Sequence, residues 1–148
     1  MASKYKPTKA NEPVHSGDHG NRVVFADNCV ATGDLVAADA LNAVKIPAGT
    51  LVDRVVIKNP DLDSATALTA KIGFAPTDGS AGVSGADVAV SADAAWGRAA
   101  ATTTYEIFPP YKVLVDSYLS VVVGTGATAS SGGGTVYGKV EGENLGVK

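Results

Sequence analysis

The apolar residues of this chain come in short runs, and each run is stopped by Gly, Pro, Asn or Asp. The cleanest lies in residues 67–74, where Leu68, Ala70, Ile72 and Phe74 alternate with Thr69, Lys71 and Gly73. A period of two places one set on each face of an extended backbone, so this stretch reads as a half-buried β-strand. Further strand signals fall at residues 22–26, 33–36, 40–46, 51–58, 102–108, 113–123 and 135–141. Within 51–58, Leu51, Val55 and Ile57 fall on one face, interrupted by Asp53, and Arg54 and Lys58 on the other. Pro47-Ala48-Gly49-Thr50 is a tight turn by composition, because Pro fixes φ and Gly tolerates positive φ. Pro109-Pro110 separates two strands, and the Gly/Ser/Thr/Ala tract 124–134 reads as a mobile hairpin loop between the last two. Residues 76–85 form a turn-rich insertion. Residues 86–101, Ala-rich with Trp96, fit a strand followed by a short helix.

About eight short strands in one unit predict an all-β, single-domain jelly roll or antiparallel β-sandwich spanning residues 22–148. A chain of 148 residues suits one domain, since at this size roughly 70% of the unfolded chain's surface is buried on folding. Residues 1–21 lack periodicity and hold Pro7, Pro13, Gly17 and Gly20, so they predict an extended arm rather than a packed element. The arm begins basic, with Lys4, Lys6 and Lys9 and no acid in the first ten residues, while the chain as a whole carries a net charge of −3. No basic face for nucleic acid is expected from that balance. The first eleven residues lack the apolar core of a signal peptide, and no run approaches the length of a membrane span.

Candidate chemical sites fail on spacing or support. His15 and His19 with Asp18 could be written as a metal cluster, but they sit on a Gly/Pro-rich arm, whereas zinc takes three or four ligands from rigid elements. Cys29, the single cysteine, rules out an internal disulfide framework and reads better as a small buried hydrophobe than as a nucleophile. Asp61-x-Asp63-Ser64 opens like a calcium loop, yet Ala65 and Thr66 replace the next ligand and the turn glycine, which leaves a solvated turn. Gly124-x-Gly126 and Gly132-Gly133-Gly134 join strands instead of opening a helix and lack a following Lys-Ser/Thr, so no phosphate cradle is expected. Nothing selects a catalytic carboxylate pair. No enzyme activity, cofactor or metal is expected.

Aromatic residues are more informative. Tyr105, Phe108, Tyr111 and Tyr118 gather around Pro109-Pro110, an arrangement that suits corner packing and a protein-contact site alike. A sugar-binding or adhesin-like sandwich is the competing class, with Trp96 and Tyr137 as stacking platforms. A small hydrolase has the least support.

One long stretch carries a resemblance. Residues 40–59, ALNAVKIPAGTLVDRVVIKN, continue through Asp61-Leu62-Asp63-Ser64 to Ile72-Gly73-Phe74. The IPAGT turn, the VxxVVI strand and the strand ending KIGF, with Tyr105 and a Val113 to Val140 hairpin with an Ala/Thr/Gly-rich tip, resemble the cement (decoration) proteins of tailed-phage heads. The likeness covers roughly residues 20–141 and is strongest toward the jelly-roll type carried by short-tailed Bordetella phage. It implies a structural protein on the outside of an icosahedral capsid, assembled in the host cytoplasm. It further implies that the protein bridges neighbouring major capsid subunits as a small homo-oligomer, a dimer foremost, with no nucleic-acid or membrane partner. The family has no shared ligand motif to transfer. The contact residues expected from the sequence are therefore Lys4, Lys6 and Lys9 of the arm and Tyr105, Phe108, Tyr111 and Tyr118 of the aromatic corner.

Overall fold

A computed structural model describes residues 4–5, 13–15, 22–78, 88–92, 94–98, 101–128 and 132–145. It is all β, with no helix among the described residues. The strands in chain order are β1 (Lys4–Tyr5), β2 (Pro13–His15), β3 (Arg22–Ala31), β4 (Ala40–Ile46), β5 (Thr50–Asn59), β6 (Thr69–Pro76), β7 (Val88–Ala89), β8 (Ala94–Ala95), β9 (Ala101–Lys112), β10 (Ser117–Val123) and β11 (Gly134–Asn144).

They form two sheets. One runs β1-β4-β10-β6-β7, with β8 also on β6, and the other runs β2-β3-β11-β5-β9. Without the arm strands β1 and β2, and without the short β8, eight strands remain. Numbered one to eight along the chain, they lie in the orders 1-8-3-6 and 2-7-4-5. That is a long hairpin, pairing first with last and working inward, rolled up on itself: the jelly roll expected from the strand count. Every one of these pairings is antiparallel.

The core fills the space between the sheets. Leu68, Ala70, Ile72 and Phe74 are buried as their alternation predicts, opposite Val23, Phe25 and Cys29 of β3 and Val136 and Val140 of β11. At Gly138 an added Cβ would stand 2.8 Å from Val44 and 2.9 Å from Ala43. Only glycine lets β11 come this close to β4 of the other sheet. The turn 47–50 is as read, with Gly49 at φ 86 and the Thr50 hydroxyl donating to the Pro47 carbonyl at 2.9 Å.

Several expectations change. Residues 33–36 are a loop, not a strand: Leu35 alone is buried, and the Val36 N–H donates to the Asp39 carboxylate at 2.9 Å. On β5, Val52 rather than Leu51 joins Val55 and Ile57 in the core. Both ladders of β5 skip from Val52 to Arg54, so Asp53 sits in a bulge and the parity of the strand changes there. The tract 124–134 is not a hairpin loop, because β10 and β11 belong to different sheets. Around Trp96 the described backbone is β7 and β8 rather than a helix. The arm, expected to be unpacked, places Lys4–Tyr5 parallel to β4 and Pro13–His15 antiparallel to β3, and Tyr5 packs against the core.

Candidate contact surface

Among the described residues, β9 lies at the edge of its sheet, paired with β5 alone. From Ala101 to Glu106 the pairing is regular, opposite Asn59 to Arg54, and it resumes with Tyr111 opposite Val52 and Lys112 opposite Leu51. Four residues of β9, Ile107 to Pro110, therefore stand against the single residue Asp53. The surplus is pushed out of the sheet. Proline has no N–H to give to a ladder, so two prolines are tolerated here because the segment is an edge and is unpaired. The Phe108–Pro109 peptide is cis.

Alternation along β9 sorts the aromatic candidates. Tyr105 and Ile107 turn inward and pack against the core. Tyr111 reaches across the sandwich and stacks on Phe74. Tyr118, on β10 in the other sheet opposite Lys45 and Ala75, is half-buried. Phe108 is the exception, 95% exposed at the crest of the bulge, with Pro109 and Pro110 also exposed beside it. Single exposed apolar residues are ordinary, but an almost wholly exposed phenyl ring on a fixed projection is not. The expected cluster of four thus divides into two residues packed against the core, Tyr105 and Tyr111, one half-buried on the other sheet, Tyr118, and one projecting residue, Phe108.

Sequence reasoning missed the next apolar pair. After β9 the loop 113–116 exposes Leu114 at 71% and Val115 at 46%. The loop is held by Asp116, whose carboxylate accepts from the Ala48 N–H at 2.9 Å and pairs with Lys45 at 3.5 Å, while its carbonyl accepts from the Thr77 N–H at 2.8 Å. Val113 is buried and exchanges backbone bonds with Gly49 and Thr50. Phe108, Leu114 and Val115 are thus offered within eight residues of chain, on a backbone anchored at both ends. Two consecutive prolines inside a strand-like run were the signal for an edge with a bulge.

Beside the bulge lies a charge network that the sequence reading did not find. Arg22 grips Asp53 with both terminal nitrogens, at 2.7 and 3.3 Å. Glu141, on the neighbouring strand β11, is approached by Lys139 at 2.5 Å and by Arg22 and Arg54 at 3.6 Å. The hydrogen bond from Lys139, with the charges of Lys139, Arg54 and Arg22, holds the Glu141 carboxyl below its ordinary range against the opposing effect of burial. Asp53 in turn raises the Arg22 pKa, mainly through the hydrogen bond. Further along this face, Tyr137 is half-exposed over a hollow lined by Ala26, Asn28, Val56, Lys58 and Lys139.

The remaining candidates resolve as structure. Cys29 is fully buried, and burial, with the nearby Asp27 charge, pushes its thiol up to about 12. Such a thiol does not form the thiolate that nucleophilic chemistry needs. Asp63 is not solvated as expected. It is fully buried, and its carboxylate accepts from the N–H groups of Ala65, Ala67 and Leu68 at 3.1, 3.2 and 2.9 Å. Those bonds occupy the oxygens a cation would use. Trp96 is 7% exposed and belongs to the core, so it offers no stacking platform. Among the described residues no group of three or more His, Cys, Asp and Glu side chains could hold a metal. Of the arm, Lys4 lies on β1, and His15 on β2; Lys6, Lys9, His19 and Asp18 lie outside the described residues.

No protein-family profile and no curated protein matches the chain. Solved structures do resemble it. A chain of the cyanophage Pam1 capsid asymmetric unit matches with a TM-score of 0.61 at 21% identity, covering 92% of this chain and 93% of that one. A chain in the capsid of Ralstonia phage GP4 matches with a TM-score of 0.64 at 18% identity, covering 95% of this chain and 92% of that one. At these identities the likeness is one of fold, and in both cases it extends over nearly the whole chain.

Proposed function

We propose that this chain is a capsid cement (decoration) protein. It binds the outer surface of an icosahedral phage head and bridges neighbouring major capsid subunits, with no catalysis. The observation that carries this reading is Phe108, presented on the β9 bulge of a jelly roll whose likenesses are chains of phage capsids. The sequence resemblance to the cement protein of short-tailed Bordetella phage supplies the finer assignment. Phe108, with Leu114 and Val115, is the apolar anchor that a subunit of the shell would cover. The repeated surface of a shell supplies multivalency, so each contact can be small, on the order of 1,000 Å². The basic start of the arm, Lys4, Lys6 and Lys9, adds charge toward an acidic neighbour, and a small homo-oligomer, foremost a dimer, belongs to the same reading.

The test is co-sedimentation with intact heads that lack the protein. Wild type pellets with the heads; Phe108→Ser, which removes an exposed ring and touches no core residue, pellets at least tenfold less with an unchanged melting temperature. Equal binding by the variant would remove Phe108 from the contact, and failure of wild type to pellet would remove the cement reading. A second reading, a sugar-binding surface, is favoured by the half-exposed Tyr137 beside its hollow. Binding on a glycan array, abolished by Tyr137→Ala, would select it.

A further inference from the structure

Three of the four edges of this jelly roll are covered or cut short. β1 lies along β4, β2 along β3, and beside β6 stand only the two-residue strands β7 and β8. β9 pairs β5 on one side, and among the described residues no strand pairs it on the other. Alternate residues between Ala101 and Glu106 therefore turn their N–H and C=O groups away from the protein. Open edges invite another strand, and proteins blunt them with charge, proline or a bulge. β9 has all three devices, but only from Glu106 onward. Before that point Ala101-Thr102-Thr103-Thr104-Tyr105 carries no charge, no glycine and no proline, and four of its five residues favour strands.

We propose that this stretch pairs antiparallel with the same stretch of a second copy, joining their sheets into one across a two-fold axis. This gives the homo-oligomer of the cement reading an interface, but it rests on the open edge and not on capsid binding. The stretch is complementary to itself. A two-fold axis normal to a sheet passes between two copies of one residue, and opposite residues share a face. Centred on Thr103, the pairing sets Thr102 opposite Thr104 and Ala101 opposite Tyr105. Centred on Thr104, it sets Thr103 opposite Tyr105 and Thr102 opposite Glu106. Thr–Thr and aromatic–Thr pairs suit cross-strand contact, and neither register brings the two Glu106 carboxylates together. The ladder stops short of the bulge, which leaves both copies of Phe108 uncovered. By strand rise the two lie on the order of 30 Å apart, a spacing that lets one dimer hold two points of a shell.

Sedimentation of the full chain at tens of micromolar tests this, alongside the variant Thr102→Glu/Thr104→Glu. Both threonines are exposed, and Thr102 stands opposite Lys58 of β5, so a single copy accommodates the carboxylates. Across the axis each opposes another carboxylate in either register, 102 against 104 in the first, and 104 against 104 with 102 against Glu106 in the second. Wild type is expected at twice its 14.8 kDa mass and the glutamate variant at the single mass, with an unchanged circular dichroism spectrum. Phe108→Ser stays dimeric, which separates this interface from the proposed head contact. Thr103→Cys and Thr104→Cys report the register, since Cys29 is buried and only the residue on the axis forms an intermolecular disulfide. A monomeric wild type, a glutamate variant that remains dimeric, or no cross-link from either cysteine in a dimeric protein overturns the proposal.

Discussion

Phe74 and Tyr111 stack across the sandwich, their ring centroids 5.8 Å apart and their planes 8° from parallel. Phe74 belongs to β6 in one sheet and Tyr111 to β9 in the other, so this contact ties the edge strand to the opposite layer just beyond its bulge. Phe108 can project because Tyr111, three residues later, is held.

That pair should be measurable as a coupling. Phe74→Ala removes a buried ring and is expected to cost about 3–5 kcal/mol. Tyr111→Ala is expected to cost about 2 kcal/mol, since the ring is only partly buried. The double variant falls short of the sum by about 1 kcal/mol if the stack is real. Urea titration of the four proteins gives the values, and simple additivity would show that the rings act independently.

Glu141 sets an acid dependence. Its folded pKa is lowered relative to the ordinary 4.5, so the unfolded chain takes up a proton first as pH falls. Its contribution to stability is complete above the ordinary value and is lost as pH drops through the folded one. Urea midpoints between pH 6 and pH 2.5 should therefore fall more steeply for wild type than for Glu141→Gln, and the two curves should converge at the acid end. Parallel curves would mean that the carboxylate is not held by Lys139, Arg54 and Arg22. Added salt should narrow the difference between the two proteins at neutral pH, because the partners Arg22, Arg54 and Lys139 are about half exposed.

Asp63 serves the backbone, not a cation. Asp63→Ala leaves the N–H groups of Ala65, Ala67 and Leu68 without their acceptor and is expected to cost about 3 kcal/mol, the scale for loss of buried charge-assisted bonds. Millimolar calcium should leave the wild-type melting temperature where it is. A calcium-dependent rise that Asp63→Ala abolishes would contradict this role.

Much of the fold was legible because period-two burial needs no knowledge of partners. Leu68, Ala70, Ile72 and Phe74 point inward for a reason written in the run itself, and strand number led to the jelly roll. Bulges were not legible, because they are properties of a ladder. Nothing in residues 51–58 alone says that β9 and β11 both skip Asp53, so Leu51 was placed in the core where Val52 belongs. Sheet membership was likewise invisible: the Gly-rich tract after β10 looks like a hairpin loop until β11 pairs with β3 and β5. At the candidate surface, Phe108 was named for its neighbourhood but could not be told from Tyr105 and Tyr111. Facing depends on where Pro109-Pro110 interrupts the pairing. Arg22, Asp53 and Glu141 come from three separate strands, and only the assembled sheet brings their charges together.

The proposed role of Phe108, anchoring this chain to the outside of a phage shell, is open to cryo-electron microscopy of heads reconstituted with the protein. Jelly-roll density is expected on the outer surface, with the Phe108 ring buried against a capsid subunit and the β9 bulge at the contact. Density inside the shell, or a bound domain whose Phe108 faces solvent, would contradict it.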